Sequence, residues 1–525
     1  MTETREKTTS ENVNTRKPFA FHAILWSFSL ILAFYVNNFG QHEISNRMVF
    51  ALVALLAVFS TGLVGLFSLW KRKGRALCLL LSLFWILFFS VGPLIEYLMA
   101  NGIMRYRFIA LIFCLILGVS GFFLLRSKRP MILPTRVMNR IALAFIIILG
   151  VQFLISLFSQ ARDSVSTKTP PVSLKIAKTA QKPDIYYLLV DGYPGDRILK
   201  ECYDFDNSPF TDFLKDKGFW VPEGITNYMG TKLVLSSVFK MNYHQEELSE
   251  NPTQKQIKQV VEVGPRKFAM IEVLNQAGYD VITNGSQFIP SGVYRSDNVR
   301  VSKITGLSGA SIQTLACLID NSLIFPFSAF IVDQFASHDE PEMFKNLAAS
   351  LETTRSKPQF YFSHIVLPHP PIRFRADGSR LKPTTYLMAD FMQWDHLGYI
   401  GQVEYLNSEL KRFIEKATNL PPDRRPVIII HSDHGTATKG PHPWQWSNPS
   451  KELIDERTSI LCTALFPGID IKRLPKQMSP VNMFRLFIRE YLDPSFQLLE
   501  EKSYFSPMGS YGFWLIDRKK GVVLK

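Results

Sequence analysis

Hydrophobic and polar positions divide this chain into two regimes. Five apolar runs follow one another at the start: Phe19–Phe39, Val49–Trp70, Ala76–Leu98, Phe108–Leu125 and Ile141–Phe158. Each is close to the length of about 20 residues that a helix needs to cross a bilayer, so the pattern predicts a five-helix transmembrane bundle over residues 1–160. The first run follows a long polar tail and lacks a small-residue cleavage site, which makes it an anchor rather than a cleaved signal peptide. Residues 161–182, rich in Ser, Thr, Lys and Pro, are expected to form a tether. From Pro183 onward the period changes. Short apolar strands (Asp184–Val190, Tyr279–Thr283, Gln359–Leu367, Val427–Ile430, Ser459–Phe466) alternate with helical stretches (Phe210–Lys217, a run after Gly230, Gly398–Lys416). That alternation predicts an α/β domain with a mainly parallel sheet over 183–525. Leu315–Val332 is apolar, but Asp320, Asn321 and Pro326 interrupt it; a buried helical segment is expected there rather than a sixth span.

Charge sharpens the division. Residues 1–160 hold 16 Lys and Arg against 5 Asp and Glu, so +11 of the formal +14 sits on the apolar half. A basic excess placed there is a topology signal and not a nucleic-acid surface. The basic residues cluster in alternate loops: Arg5, Lys7, Arg16 and Lys17 before the first run, Lys71, Arg72, Lys73 and Arg75 after the second, and Arg126, Lys128, Arg129, Arg136 and Arg140 after the fourth. The positive-inside rule then puts the N-terminus in the cytoplasm and everything after Phe158 outside. Glu96 is the acidic residue within the runs, expected to snorkel to the interface. The five cysteines, without CxxC spacing, are expected to be small buried hydrophobes.

Two strands end in chemistry. Four β-branched residues, Val427 to Ile430, lead into His431-Ser432-Asp433-His434-Gly435, and Ile185–Val190 leads into Asp191-Gly192. Open α/β sheets bind ligands beyond the carboxyl ends of their strands, so Asp191, Asp433 and His434 are candidates for one shared metal site. Thr231 opens a helix after Gly230, where unpaired N–H groups and the helix dipole favour a developing anion; it is either a nucleophile or a plain N-cap. His369, held between prolines in Pro368-His369-Pro370-Pro371, is a candidate substrate-phosphate donor or a metal ligand. His364, mid-strand, is expected to be a core histidine. His442, in the loop Thr436–Pro449, and Asn284, at a strand end, are candidate substrate contacts, the exposed-loop alternative standing beside the former. Arg457 begins the last core strand.

In this order, Asp191-Gly192, Thr231, Pro368-His369-Pro370-Pro371 and Ser432-Asp433-His434-Gly435 resemble the motifs of the alkaline phosphatase superfamily. The likeness is to its sulfatase-like, membrane-anchored branch, which includes lipoteichoic acid synthases and phosphoethanolamine transferases. It spans nearly the whole chain. It implies an alkaline-phosphatase-like α/β/α sandwich with a mixed, mainly parallel sheet behind the membrane bundle. It also implies that Asp191, Thr231, Asp433 and His434 bind one divalent metal, manganese or zinc more readily than magnesium. Thr231 would be the nucleophile and His369 would hold the substrate phosphate.

The implied activity is transfer of a phospho-head group, of the phosphoethanolamine or phosphoglycerol type, from a membrane lipid to a cell-envelope glycan or lipid through a phospho-threonine. The partners are then the bilayer, a lipid donor and an envelope acceptor, in a bacterial cytoplasmic membrane with the catalytic domain outside. A membrane-anchored hydrolase of phosphate or sulfate esters, and a catalytically silent glycan-binding protein, are the alternatives. No Cys/Ser-x-Pro/Ala-x-Arg motif surrounds Thr231, so a formylglycine arylsulfatase is not expected. The absence of Asp-x-x-x-His argues against a second metal.

Overall fold

The computed structural model describes residues 18–39, 44–70, 73–100, 103–163, 174–176, 182–248, 257, 260–261, 269–284, 309–327, 340–353, 355–370, 372–381, 396–439, 449–506, 512–518 and 520–524. The chain forms two units. One contains residues 1–40, 44–162 and 317–325, and the other contains 41–43, 163–316 and 326–525.

The first unit is helical: α1 (His22–Asn37), α2 (Asn46–Ser68), α3 (Gly74–Phe88), α4 (Gly92–Ala100), α5 (Tyr106–Arg126) and α6 (Ile132–Asp163). Three of these, α2, α5 and α6, are long and apolar enough to cross a membrane, and α3 with α4 would make a fourth span bent by 52°. The run expected as a single span at 76–98 is therefore broken at residues 89–91, just ahead of Pro93, which removes a backbone donor. A hydrogen-bonded segment meets the break: Asn321 O accepts from Gly92 N (3.3 Å) and Leu323 N donates to Phe88 O (2.7 Å). Leu318 also packs with Ile31, Tyr35 and Val49 of this unit. The helix α1, at 16 residues, is shorter than the span length used for the others. Basic residues of one loop close the end of α5: Lys73 Nζ donates to the carbonyls of Leu125 and Ser127, and Arg75 to that of Pro130 (3.0 Å). The side chain of Glu96 and the basic residues before Pro18 lie outside the described residues.

The second unit is built on a sheet. Its elements are β1 (Ile185–Asp191), α7 (Asp196–Tyr203), α8 (Ser208–Asp216), β2 (Glu223–Ile225), α9 (Thr231–Lys240), α10 (Ala269–Ala277), β3 (Asp280–Asn284), α11 (Gly309–Asp320, whose end belongs to the first unit), α12 (Glu340–Ser350), β4 (Gln359–Pro368), α13 (His396–Thr418), β5 (Val427–Ser432), α14 (Lys451–Thr458), β6 (Ser459–Ile460), β7 (Cys462–Leu465), β8 (Gln477–Met478), α15 (Pro480–Phe487), β9 (Tyr504–Phe505), β10 (Trp514–Asp517) and β11 (Val522–Leu524). The central sheet has the order β3-β4-β1-β5-β7. All its pairings are parallel except β5 with β7. Period-2 alternation assigns its faces. Ile185, Tyr187, Leu189, Phe360, Phe362, Val427 and Ile429 face a core shared with α9, α10 and α15. Tyr186, Leu188, Val190, Tyr361, Ile365, Ile428 and Ile430 face one shared with α7, α8, α12 and α13. This is the α/β/α layering.

Three expectations need correction. The segment 459–466 is not one strand: it changes sheets at Leu461, whose N–H donates to Tyr193 O while its carbonyl accepts from Ser432 N. Only its second half joins the central sheet. Part of the tether is docked, with Leu174 and Ile176 against the sheet core and Lys175 N donating to Asp493 Oδ2 (2.9 Å). Of the cysteines, Cys78 and Cys462 are buried, but Cys114 is exposed and Cys202 and Cys317 are half-buried. An apolar helix facing lipid has no reason to bury a thiol, which explains Cys114.

Candidate functional site

Strands β1 and β5 lie side by side in parallel, with Val190 opposite Ser432. Their C-terminal tips therefore emerge together, and both carboxylates fall on the face that packs against α9. Each tip turns at a glycine, for different reasons. Gly192 has φ +70°, the left-handed region where a β-carbon is strained. At Gly435 a β-carbon would come within 2.1 Å of the Glu456 carbonyl oxygen. On the other side of the site, α9 begins at Thr231, and the Gly230 carbonyl accepts from Leu233 N and Val234 N (both 3.1 Å).

Hydrogen bonds decide which atoms face inward. His434 Nδ1 contacts the Gly435 carbonyl at 3.0 Å; a carbonyl only accepts, so Nδ1 carries the proton and Nε2 a lone pair. His369 has the same arrangement, with Nδ1 2.6 Å from the Pro370 carbonyl. Asp433 Oδ1 accepts from Gly192 N (3.1 Å) and His434 N (2.9 Å), and Asp191 Oδ2 meets His364 Nε2 at 3.2 Å. The other two carboxylate oxygens, Asp191 Oδ1 and Asp433 Oδ2, are buried with no hydrogen-bond donor among the described residues. They stand 3.6 and 3.3 Å from His434 Nε2. Asp191, His369 and His434 each offer one ligand atom, all within 4.8 Å of one another. Thr231 Oγ1 joins them, 3.5 Å from His434 Nε2.

Two buried carboxylate oxygens this close to an imidazole lone pair are unfavourable in the absence of a cation. The donor set thus fits a divalent metal on its own geometry. Burial pushes the Asp433 carboxyl above the usual carboxylate range and the neighbouring Asp191 adds to it, while Thr231 and the Gly192 N–H pull it back. Burial acts the same way on Asp191, but His369 and the His364 hydrogen bond outweigh it and hold that carboxyl low. Burial, then the Arg457 charge, keep His434 far below its ordinary value. It is therefore the neutral imidazole that a metal requires.

The structure thus gathers Asp191, Thr231, His369, Asp433 and His434 in one place. Asn284 ends β3, paired with Ser363 of β4, and its side chain lies outside the described residues, as does all of His442. Three residues of the site were not legible as such in the sequence. His364 is buried, as a core histidine should be, yet it orients Asp191. Glu456, fully buried, accepts from Thr436 Oγ1, Thr438 N, Thr438 Oγ1 and Lys439 N at 2.6 to 2.9 Å, and so fixes the loop after His434. Arg457 donates from Nε and Nη2 to the Met229 carbonyl and from Nη1 to that of Gly435. The Glu-Arg pair closing α14 was the available signal, since two adjacent buried charges require partners.

A search of curated proteins finds no match to this chain. Among solved structures it is similar to the integral membrane protein lipooligosaccharide phosphoethanolamine transferase A from Neisseria meningitidis (14% identity, 90% of this chain and 95% of that one, TM-score 0.39). It is also similar to the C-terminal periplasmic domain of the phosphoethanolamine transferase EptC from Campylobacter jejuni (14%, 61% and 94%, TM-score 0.37). A third is BT33494S-sulf of Bacteroides thetaiotaomicron (13%, 66% and 89%, TM-score 0.39). The sulfatase family model matches residues 192–456, half of the chain, and takes in Thr231, His369, Asp433, His434 and Glu456. The chain belongs to the sulfatase family.

Proposed function

We propose that this protein is a metal-dependent transferase that moves a phospho-head group from a membrane lipid to a cell-envelope glycan or lipid, through a phosphorylated Thr231. The observation that carries this is the Thr231 hydroxyl at the open end of α9, 3.5 Å from His434 Nε2 and beside two carboxylate oxygens without donors. Asp191, Asp433, His434 and Thr231 would hold the metal, which when bound supplies positive charge against the transferring group and lowers the hydroxyl's pKa. The Thr231 oxygen forms a bond to phosphorus as the bond from phosphorus to the lipid alcohol breaks, and the hydroxyl proton ends on that alcohol. His369, its Nδ1–H spent on the Pro370 carbonyl, would hold and orient the phosphate by donating from a protonated Nε2. An acceptor hydroxyl then attacks the same phosphorus, and Thr231 recovers its proton.

The membrane helices support a lipid donor, since they hold the enzyme where such donors are. The alternating basic loops support a cytoplasmic N-terminus, five crossings with the bent pair α3–α4 as one of them, and a catalytic unit outside the cytoplasmic membrane. Intact-mass analysis of the full-length protein in detergent, loaded with Mn or Zn and incubated with phospholipid, tests the transfer. The expected result is a mass gain equal to one phospho-head group, absent in Thr231→Ala. Metal-dependent phosphodiester cleavage without an adduct in trapping experiments would move the assignment to a hydrolase. Neither adduct nor turnover, with no bound metal, would leave a glycan-binding protein.

A further inference from the structure

We propose that Arg457 is the positioning residue that holds the Thr231 hydroxyl against the metal-ligand set, an inference that rests on Thr231 being the nucleophile. Arg457 is buried and spends its guanidinium on two carbonyls. Nε and Nη2 donate to Met229 O (3.2 and 3.0 Å), and Nη1 donates to Gly435 O (2.8 Å). These two carbonyls sit at decisive places. Met229 is the last residue before the Gly230 turn that starts α9 at Thr231. Gly435 O is also the acceptor that fixes His434 with Nε2 toward the site (3.0 Å). One side chain therefore joins the nucleophile's loop to the loop carrying Asp433 and His434.

The strap closes on itself through the backbone, since Gly435 N donates to Arg457 O (2.9 Å). Burial opposes the charge, and the groups that compensate it most, Asp433 then Asp191, are the carboxylates of the site itself. A planar fork with donors on two edges can bridge two carbonyls; an ammonium on a flexible stem cannot hold both in one geometry. Lysine at this position would keep the charge and lose the strap.

The test uses full-length protein in detergent loaded with Co²⁺, comparing wild type, Thr231→Ala, Arg457→Lys and Arg457→Ala. Co²⁺ visible absorption reports the ligand sphere, and bis(4-nitrophenyl) phosphate cleavage reports turnover. Arg457→Lys is expected to bind one Co²⁺ but to shift its spectrum to that of Thr231→Ala. Its kcat should fall by about 10- to 100-fold with KM nearly unchanged, the size typical of groups that orient metal ligands. Added guanidinium should restore part of the Arg457→Ala loss, which a merely structural arginine would not allow. An Arg457→Lys protein with wild-type spectrum and kcat overturns the strap, and so does one that no longer binds Co²⁺. If wild type cleaves nothing while the spectra shift as stated, the proposed reaction fails and the strap stands. If Thr231→Ala abolishes turnover while Arg457→Lys changes neither readout, the reverse holds.

Discussion

Helix α9 carries two hydroxyl–imidazole pairs. Thr231 Oγ1 is 3.5 Å from His434 Nε2, and Ser236 Oγ is 3.0 Å from His244 Nε2. By distance alone the second is the better pair. The difference lies in which nitrogen carries the proton. His244 Nε2 is also 2.9 Å from the Leu233 carbonyl, so it must be the N–H and has no lone pair to offer. His434 donates from Nδ1, leaving Nε2 bare toward two carboxylate oxygens that lack donors. Thr231 is half-buried, whereas Ser236 is buried and His244 fully so. A hydroxyl beside a histidine is thus architecture when the nitrogen facing it is a donor already spent on a carbonyl, and a site when that nitrogen keeps its lone pair beside uncompensated charge. The sharpest break of this contrast is a paired substitution. Thr231→Ala should lower phosphodiester turnover by roughly 10³-fold or more, while Ser236→Ala should leave kcat unchanged and cost about 1 kcal/mol of stability. Equal losses of kcat in the two variants would erase the distinction.

The next two effects separate the pairs by what surrounds them. Beside His244, the Lys240 ammonium has no exposed side-chain surface and is bonded to both Glu247 oxygens (2.9 and 2.8 Å) and to Val260 O (2.6 Å). Removing its counter-charge with Glu247→Gln should cost about 3 kcal/mol without altering kcat at a temperature where the variant remains folded. A Lys240→Met/Glu247→Leu double variant should recover most of that loss. Chemical denaturation of the three proteins decides it, and an unharmed Glu247→Gln would show the pair to be dispensable. At the Thr231 end the surplus charge is that of carboxylates, Asp191 and Asp433. Mn or Zn at one hundred times its Kd should stabilise wild type by about 2.7 kcal/mol. That gain should survive in His244→Gln and vanish in Asp433→Asn. Metal-free Asp433→Asn should be no less stable than metal-free wild type, because a buried carboxylate oxygen without a donor is removed. A metal-induced stabilisation that persists in Asp433→Asn would place the ion elsewhere.

The sequence carried the strand tips because their signal is local: β-branched runs that end in Asp-Gly and Asp-His-Gly need only parallel pairing to bring Asp191 and Asp433 together. His364 looked like a core histidine because its neighbours Phe362 and Ile365 are apolar. Its partner is set by register, which no local pattern encodes. Leu189 lies opposite His364, and the ladder then slips between Val190 and Asp191, so that Asp191 pairs with Pro368 and its carboxylate comes within reach of the imidazole. Arg457 was hidden for the same reason, its two carbonyl partners being contributed by distant loops. In the membrane half the apolar runs were legible and the bend at Gly92 was not. A hydropathy window averages over a glycine and a proline, whereas the hydrogen bonds that Gly92 N donates to Asn321 O and Leu323 N donates to Phe88 O are made residue by residue.

The smallest effect tests the same contrast through pH. Burial, reinforced by the Lys240 charge and opposed by the Leu233 carbonyl, lowers the His244 imidazole from 6.5 to about 3. The unfolded chain therefore binds a proton that the folded chain refuses. The resulting contribution to stability is fully present above pH 6.5 and is lost progressively as pH falls from 6.5 toward 3. Between pH 7 and 5.5 the loss attributable to this one group is about 1 kcal/mol. His244→Gln cannot titrate, so its stability should fall less over that interval by this amount, although it starts lower for want of the ring's packing against Tyr228 and Phe513. Denaturant titrations of the metal-free full-length proteins at the two pH values give the comparison directly. If the variant and wild type lose stability in parallel, His244 is not excluded from protonation, and the second pair on α9 is more open to solvent than its burial indicates.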